Sequence, residues 1–186
     1  MNAQIKMILM ALLLAGIATT GCSQEPKSAN GNVMKIQVAS DAFADGQPIP
    51  AKYTGDGADV SPPLTWSKTP AGTKSLALIC DDPDAPAGTW VHWVMYNMPA
   101  IEDVLAENIS KTGTLEDGRE QGKNSFGKIG YNGPAPPPGK THRYFFKIYA
   151  LDARLDLPDG ATKKDLLKAM DGHVLGEGQL MGTYRR

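Results

Sequence analysis

Few cysteines, few histidines and almost no net charge bound this chain before any motif is read. Its 186 residues hold two cysteines, Cys22 and Cys80, three histidines, and a formal charge of -1. A near-neutral chain lacks the basic face that grips a nucleic-acid backbone, so no nucleic-acid partner is expected. Neutrality does not exclude a local anion site, since a few oriented donors suffice to hold one oxyanion. No C-x-x-C or H-x-x-x-H spacing occurs, so neither a metal nor a cofactor is expected. No serine or cysteine lies in a nucleophile motif, and the expectation is a protein that is not an enzyme. No apolar run reaches the roughly 20 residues of a membrane-spanning helix. There is no internal repeat, and the one low-complexity tract is Pro136-Pro137-Pro138.

What is present begins with a leader. Lys6 precedes the apolar run Met7 to Ala18, and Thr19-Thr20-Gly21 follows it. A basic residue, an apolar run of about 7–15 residues and then small residues read as a secretory signal peptide, here residues 1–21. Gly21 before Cys22 resembles the bacterial lipobox, with Thr19 where that motif usually has an aliphatic residue. The resemblance implies a lipid anchor on Cys22 that holds the exported protein at a bacterial membrane. Several acyl chains on one residue make such anchoring stable, where a single chain is marginal. Ser23 stands where an Asp often retains lipoproteins in the inner membrane. The expected address is therefore the outer membrane, facing the periplasm, in a Gram-negative host. Residues 22–33 read as the lipidated Cys and a flexible tether. With Cys22 acylated, Cys80 has no disulfide partner, and its apolar surroundings, Leu76 to Ile79, make it a buried structural thiol.

Residues 34–186 read as one mainly β domain. Met34, Ile36 and Val38 alternate with polar residues as a half-buried strand. Ser75 to Ile79 has the continuous apolar character of a central strand, and Trp90 to Asn97 is rich in strand formers. From Arg143 to Leu151 the period is two, with Tyr144, Phe146, Ile148 and Ala150 on one side. Residues 108–141 carry many Gly and Pro, the mark of a long connection. Thr162 caps one helix, with Asp165 in its first turn, Leu166, Leu167 and Met170 as its apolar stripe and Gly172 as its stop. Residues 173–184 predict a last strand.

Three segments concentrate unusual residues: Asp81 to Pro86 at a strand end, Trp90-Val91-His92-Trp93, and Gly130 to Tyr144. Asp82-Pro83-Asp84-Ala85-Pro86 followed by Trp90-Val91-His92 resembles one hallmark of the phosphatidylethanolamine-binding protein family. Gly130-Tyr131-Asn132-Gly133-Pro134, a proline-rich turn and His142-Arg143-Tyr144 resemble the second. The joining segment Gln121 to Gly127 looks like the bacterial, Raf-kinase-inhibitor-like branch. The resemblance implies a large central antiparallel β-sheet, a smaller second sheet and small peripheral helices. It also implies a shallow pocket for an anionic group, lined by Asp82, Asp84, His92, Gly133, Pro134, His142 and Tyr144. In that pocket His92 and His142 would supply donors and charge, Asp82 would orient an imidazole, and the backbone at Gly133 would approach the ligand. Family precedent further implies a cis peptide at Pro83, Pro86 or Pro134. Read on their own, Asp82 and Asp84 fit Asx-type turns beside proline equally well. His92, His142 and Tyr144 fit hydrogen-bonded structural roles, Arg143 a sheet-face ion pair, and His173 a helix-end position.

The leading functional expectation is a membrane-tethered binding protein for a phosphate, phospholipid headgroup or similar small anion. The alternative is an inhibitor of an extracytoplasmic peptidase or another protein partner. Bacterial relatives imply a homodimer. The absence of a helix after the last strand implies a pocket more open than in animal relatives.

Overall fold

The computed structural model describes Pro26, Gly31 and residues 33–186. The expected signal peptide, Cys22 and nearly all of the expected tether lie outside the described residues. In chain order the strands are β1 (Met34–Lys35), β2 (Val38–Ala39), β3 (Leu64–Trp66), β4 (Ser75–Asp82) and β5 (Trp90–Pro99). They continue with β6 (Val104–Leu105), β7 (Glu120–Gln121), β8 (His142–Leu151) and β9 (Val174–Tyr184), with helix α1 (Lys163–Met170) between the last two.

The apolar run at 76–80 is the spine. All eight residues of β4 are buried, and β5 and β8 pair antiparallel along its two edges. A strand covered on both faces has no polar side, which is why this run shows no alternation. The six-stranded sheet has the order β1-β9-β8-β4-β5-β7, and a three-stranded sheet has the order β2-β3-β6. The large sheet is mixed and not wholly antiparallel, because β1 runs parallel to β9.

The period-two segment at 34–38 is not one strand. Met34 and Lys35 pair in the large sheet, whereas Val38 and Ala39 pair in the small one. The chain crosses between the sheets at Ile36 and Gln37. There Ile36 N donates to Glu177 O at 2.7 Å, and Ser67 N donates to Gln37 O at 2.9 Å. The crossing lies directly over Gly178, where a Cβ would sit 1.9 Å from Ile36 O.

Alternation along β8 assigns the two faces of the sheet. Tyr144, Phe146 and Ile148 join Leu76, Leu78, Trp93 and the small sheet's Leu64 and Trp66 in one core. Tyr149 joins Ala77, Ile79, Val94, Leu166 and Met170 in the other. Each large apolar side chain so buried contributes about 1.5–3 kcal/mol. Helix α1 is far shorter than the roughly 12–15 residues an isolated helix needs. Two features hold it: the burial of Leu166 and Met170, and a capping box. In that box Thr162 Oγ1 accepts from Asp165 N, and Thr162 N donates to Asp165 Oδ2 at 2.8 Å. Gly172, at φ 82°, supplies the left-handed turn after the helix.

No described peptide bond is cis, so the cis proline expected at Pro83, Pro86 or Pro134 is not there. Asp82 instead closes the turn after β4, with Oδ1 accepting from Asp84 N at 2.8 Å. Among the described residues no helix is long and apolar enough to cross a membrane.

Candidate functional site

Successive strand residues face opposite sides of a sheet, so the adjacent Asp81 and Asp82 part company. Asp81 is buried on the α1 side, where it accepts from Lys163 Nζ and lies 3.8 Å from Lys147 Nζ. Asp82 meets the first residue of β8: its Oδ2 accepts from His142 Nδ1 at 2.7 Å. Both partners are nearly inaccessible, Asp82 at 3% and His142 at 4%.

His92, near the start of β5, is buried as well. Its Nδ1 lies 2.6 Å from Asn132 O. A carbonyl only accepts, so Nδ1 carries the hydrogen. Its ring meets Tyr144 edge-on with centroids 5.2 Å apart, and Phe126 at 5.5 Å. Burial pulls the His92 pKa below its usual 6.5, against the opposing pull of the Asn132 carbonyl and of Asp82 and Asp81. Tyr144 brings its hydroxyl into the same space, buried and without a hydrogen bond of normal geometry, with the Asp82 carboxylate nearby. Burial first, and then the Asp82 charge, push its pKa far above the phenol range, so it keeps its proton. A buried hydroxyl left unmatched costs about 1–3 kcal/mol.

Asp84 is committed elsewhere. Its carboxylate takes a fork from Arg143, Nε at 2.9 Å and Nη2 at 2.8 Å, and also accepts from Arg143 N at 2.9 Å. The Arg143 guanidinium holds Asp84 below the usual carboxylate range despite some burial. Asp84, Lys140, Thr141, His142 and Arg143 line an open depression of about 490 Å³.

The loop at Gly133 and Pro134 is tied to the chain itself, with the Gly133 backbone beside His92. Gly133 N donates to Asp59 Oδ1 at 2.6 Å, so that amide is not offered to a ligand. The close approach that requires a glycine is real, but it is to the chain: a Cβ there would lie 2.3 Å from Tyr53 O. Pro134 O accepts from Gly55 N at 2.8 Å, which ties the same loop to its neighbour. The structure therefore brings Asp82, His92, His142 and Tyr144 together, places Asp84 on the rim beside His142, and puts Gly133 and Pro134 in the supporting loop.

The family model described as phosphatidylethanolamine-binding protein matches residues 39–185. The chain belongs to the phosphatidylethanolamine-binding protein family. It is 54% identical over 151 residues to a UPF0098 protein of Methanothermobacter thermautotrophicus, covering 81% of this chain and 99% of that relative. It is 44% identical to the crystal structure of a phosphatidylethanolamine-binding protein homologue from Chlamydia trachomatis, with a TM-score of 0.75 over 82% of this chain and 98% of that one. Escherichia coli YbcL, described as a new member of the mammalian family, superposes with a TM-score of 0.76 at 32% identity, over 81% and 98% of the two chains.

In this family member two supports of the site escape motif reading. Asp59 lies in a loop with no spacing signal, at the left-handed φ of 55°. It accepts from Gly133 N, from Asn132 Nδ2 at 2.9 Å and from Lys111 Nζ at 2.8 Å. Burial opposes its charge, yet the Gly133 amide and Lys111 hold it below the usual carboxylate range. Asn132, which presents its carbonyl to His92, is fixed in turn by Asn124 Nδ2 on its Oδ1 at 2.9 Å. Among the described residues no three His, Cys, Asp or Glu side chains group as a metal ion needs.

Proposed function

We propose that this protein is a non-catalytic binding module. It takes one small oxyanion, a phosphate or phospholipid headgroup, at the cluster of His92, Tyr144, Asp82 and His142. The observation that carries the reading is the Tyr144 hydroxyl: a protonated, buried donor beside an imidazole that makes no hydrogen bond of normal geometry, with the Asp82 carboxylate as its one near acceptor. Natural interiors match nearly all such groups, so an orphan one is a site that a ligand oxygen completes. Of the four residues, His142 lines the open depression, whose size suits a headgroup and not a whole lipid.

The substitution Tyr144→Phe tests this directly. It removes the hydroxyl and keeps the ring, so binding and stability should move in opposite directions. Anion affinity should drop about tenfold, while the folded state holds its stability or gains up to about 1 kcal/mol. The measurement is NMR of the His92 and His142 side chains as phosphate, phosphoethanolamine or acetate is added. Wild-type rings that give no saturable shift with any of the three would sink the anion site.

Tethering is part of the same proposal, with export and a lipid on Cys22 placing the module on a membrane facing the periplasm. It rests on Lys6, the apolar run, and Gly21-Cys22. Cells fed a labelled fatty acid should label the protein, and Cys22→Ser should abolish the label and release the protein from membranes. An unlabelled wild-type protein in the soluble fraction would remove the anchor from the account.

A further inference from the structure

Both imidazoles of the cluster are held by the same nitrogen. His92 Nδ1 donates to Asn132 O, and His142 Nδ1 donates to the Asp82 carboxylate. The hydrogen on Nδ1 is thus committed to the fold. In a neutral ring the remaining Nε2 carries a lone pair and no hydrogen. Burial works to keep His92 neutral.

The groups around His92 do not supply a fixed cation. On β4 it feels the carboxylates of Asp82 and Asp81. On β8 it meets Tyr144, with His142 bound to Asp82 beyond. On the loop side it meets the Asn132 carbonyl and the Gly133 backbone, and Asp59 and its partner Lys111 stand behind these. Phe126, itself partly exposed, meets the ring edge-on. Most nearby cations are matched to carboxylates: Arg143 to Asp84, Lys111 to Asp59, Lys147 and Lys163 to Asp81, and Arg186, whose charge reaches Tyr144, to Asp56, while Lys140 stands on the rim of the depression beside His142. An oxyanion entering beside Tyr144 and His92 meets one hydroxyl donor, an imidazole lone pair and a buried carboxylate. A fully deprotonated dianion has no hydrogen for the lone pair and is repelled by Asp82. An oxyanion that bears one acidic hydrogen fits.

Resting on the anion reading above, we infer that the site takes its oxyanion together with one proton, so that its ligand class is the hydrogen-bearing monoanion, such as a monoprotonated phosphomonoester. The balance is simple. One dianion and one proton from solvent become a bound monoanion whose O–H donates to His92 Nε2. Alternatively the proton sits on Nε2, and the imidazolium donates to the dianion. The heavy atoms are the same in either case, and so is the proton count.

The sign follows from linkage. Above the second pKa of a phosphomonoester, about 6, the free ligand is mostly a dianion. The free ring is neutral there too, because burial lowers its pKa. The complex holds one more proton than its free parts, so affinity falls as pH rises, by about tenfold per pH unit.

Isothermal titration calorimetry of the purified full chain decides it, with phosphoethanolamine and sulfate as probes in buffers of different ionisation enthalpy. Phosphoethanolamine should take up close to one proton per site at about pH 8, and should bind about tenfold more weakly there than at about pH 7. Uptake with phosphoethanolamine alone places the proton on the ligand and supports the inference; uptake with sulfate as well places the proton on the ring and overturns the hydrogen-bearing ligand class. Binding of phosphoethanolamine with a heat independent of buffer and an affinity unchanged between those pH values overturns the inference and leaves the anion site standing. Failure of both probes to bind at any pH overturns the anion reading, and the inference with it.

Discussion

Replacing Asp82 with alanine is expected to cost about 2–6 kcal/mol of folding stability, from two hydrogen-bond donors left unmatched at about 1–3 kcal/mol each. Two acceptor sites vanish together. Oδ2 leaves the His142 ring N–H facing a buried void, and Oδ1 leaves the Asp84 amide unmatched at the turn after β4. His142 has no water to fall back on, at 4% exposure, whereas Asp84 is half-buried and recovers part of its loss from solvent. The neighbouring Asp84–Arg143 fork sets the contrast. It is exposed, with 52% of the Arg143 side chain accessible, and pairs of that kind contribute only about 0–1 kcal/mol. Urea unfolding at neutral pH measures the difference. Asp82→Asn, which keeps one carbonyl oxygen in place, should lose less than half as much. A loss under about 1 kcal/mol for Asp82→Ala would show that the pair does not hold the strand ends together.

Gly178→Ala is the second large effect, expected to destabilise by about 3 kcal/mol or more, at or beyond the usual upper range for overpacking. The added methyl would sit 1.9 Å from Ile36 O and 2.7 Å from Ile36 C. These are backbone atoms at the point where the chain passes from one sheet to the other, so no rotamer change relieves the clash. Either β9 shifts against β8 or the crossing lifts off. Gly113→Ala is the matched control, because nothing lies within 4 Å of its Cβ position and its φ is not left-handed. That variant should stay within about 0.5 kcal/mol of the parent, as surface substitutions usually do. Thermal melts of the two variants beside the parent are the test. If Gly178→Ala melts with the parent, the crossing is not tight.

Much of the fold was legible because single-element signals were strong. The unbroken run at 76–80 specified a strand buried on both faces, and the alternation from Arg143 to Leu151 specified the neighbour with one face to each core. Thr162, Asp165 and Gly172 marked both ends of the one helix. The segment at 34–38 was misread because a period of two reports which way side chains point, not which sheet the backbone joins. The partners that divide it, Glu177 and Ser67, are remote in sequence. The same limit governs the site. The two hallmark motifs contained all four residues that converge, since each motif ends or begins a strand at one end of the sheet. They also carried Gly133, whose need for no side chain is real but arises from Tyr53 and Thr54. Asp59 was invisible because a carboxylate in a loop becomes a support only when another loop brings its amides to it.

The parallel pairing of β1 with β9 has a mechanical side. The described domain begins at the start of β1 and ends just beyond the far end of β9, with Arg186 clasping Asp56 there. Tension applied between the two chain ends therefore runs along the strands and not across them. It loads the Met34–Ile36 hydrogen bonds in shear, all at once, where a hairpin edge would peel one bond at a time. The crossing wedged over Gly178 lies next in line. Pulled between those two points, the domain resists up to a threshold and then lets go abruptly.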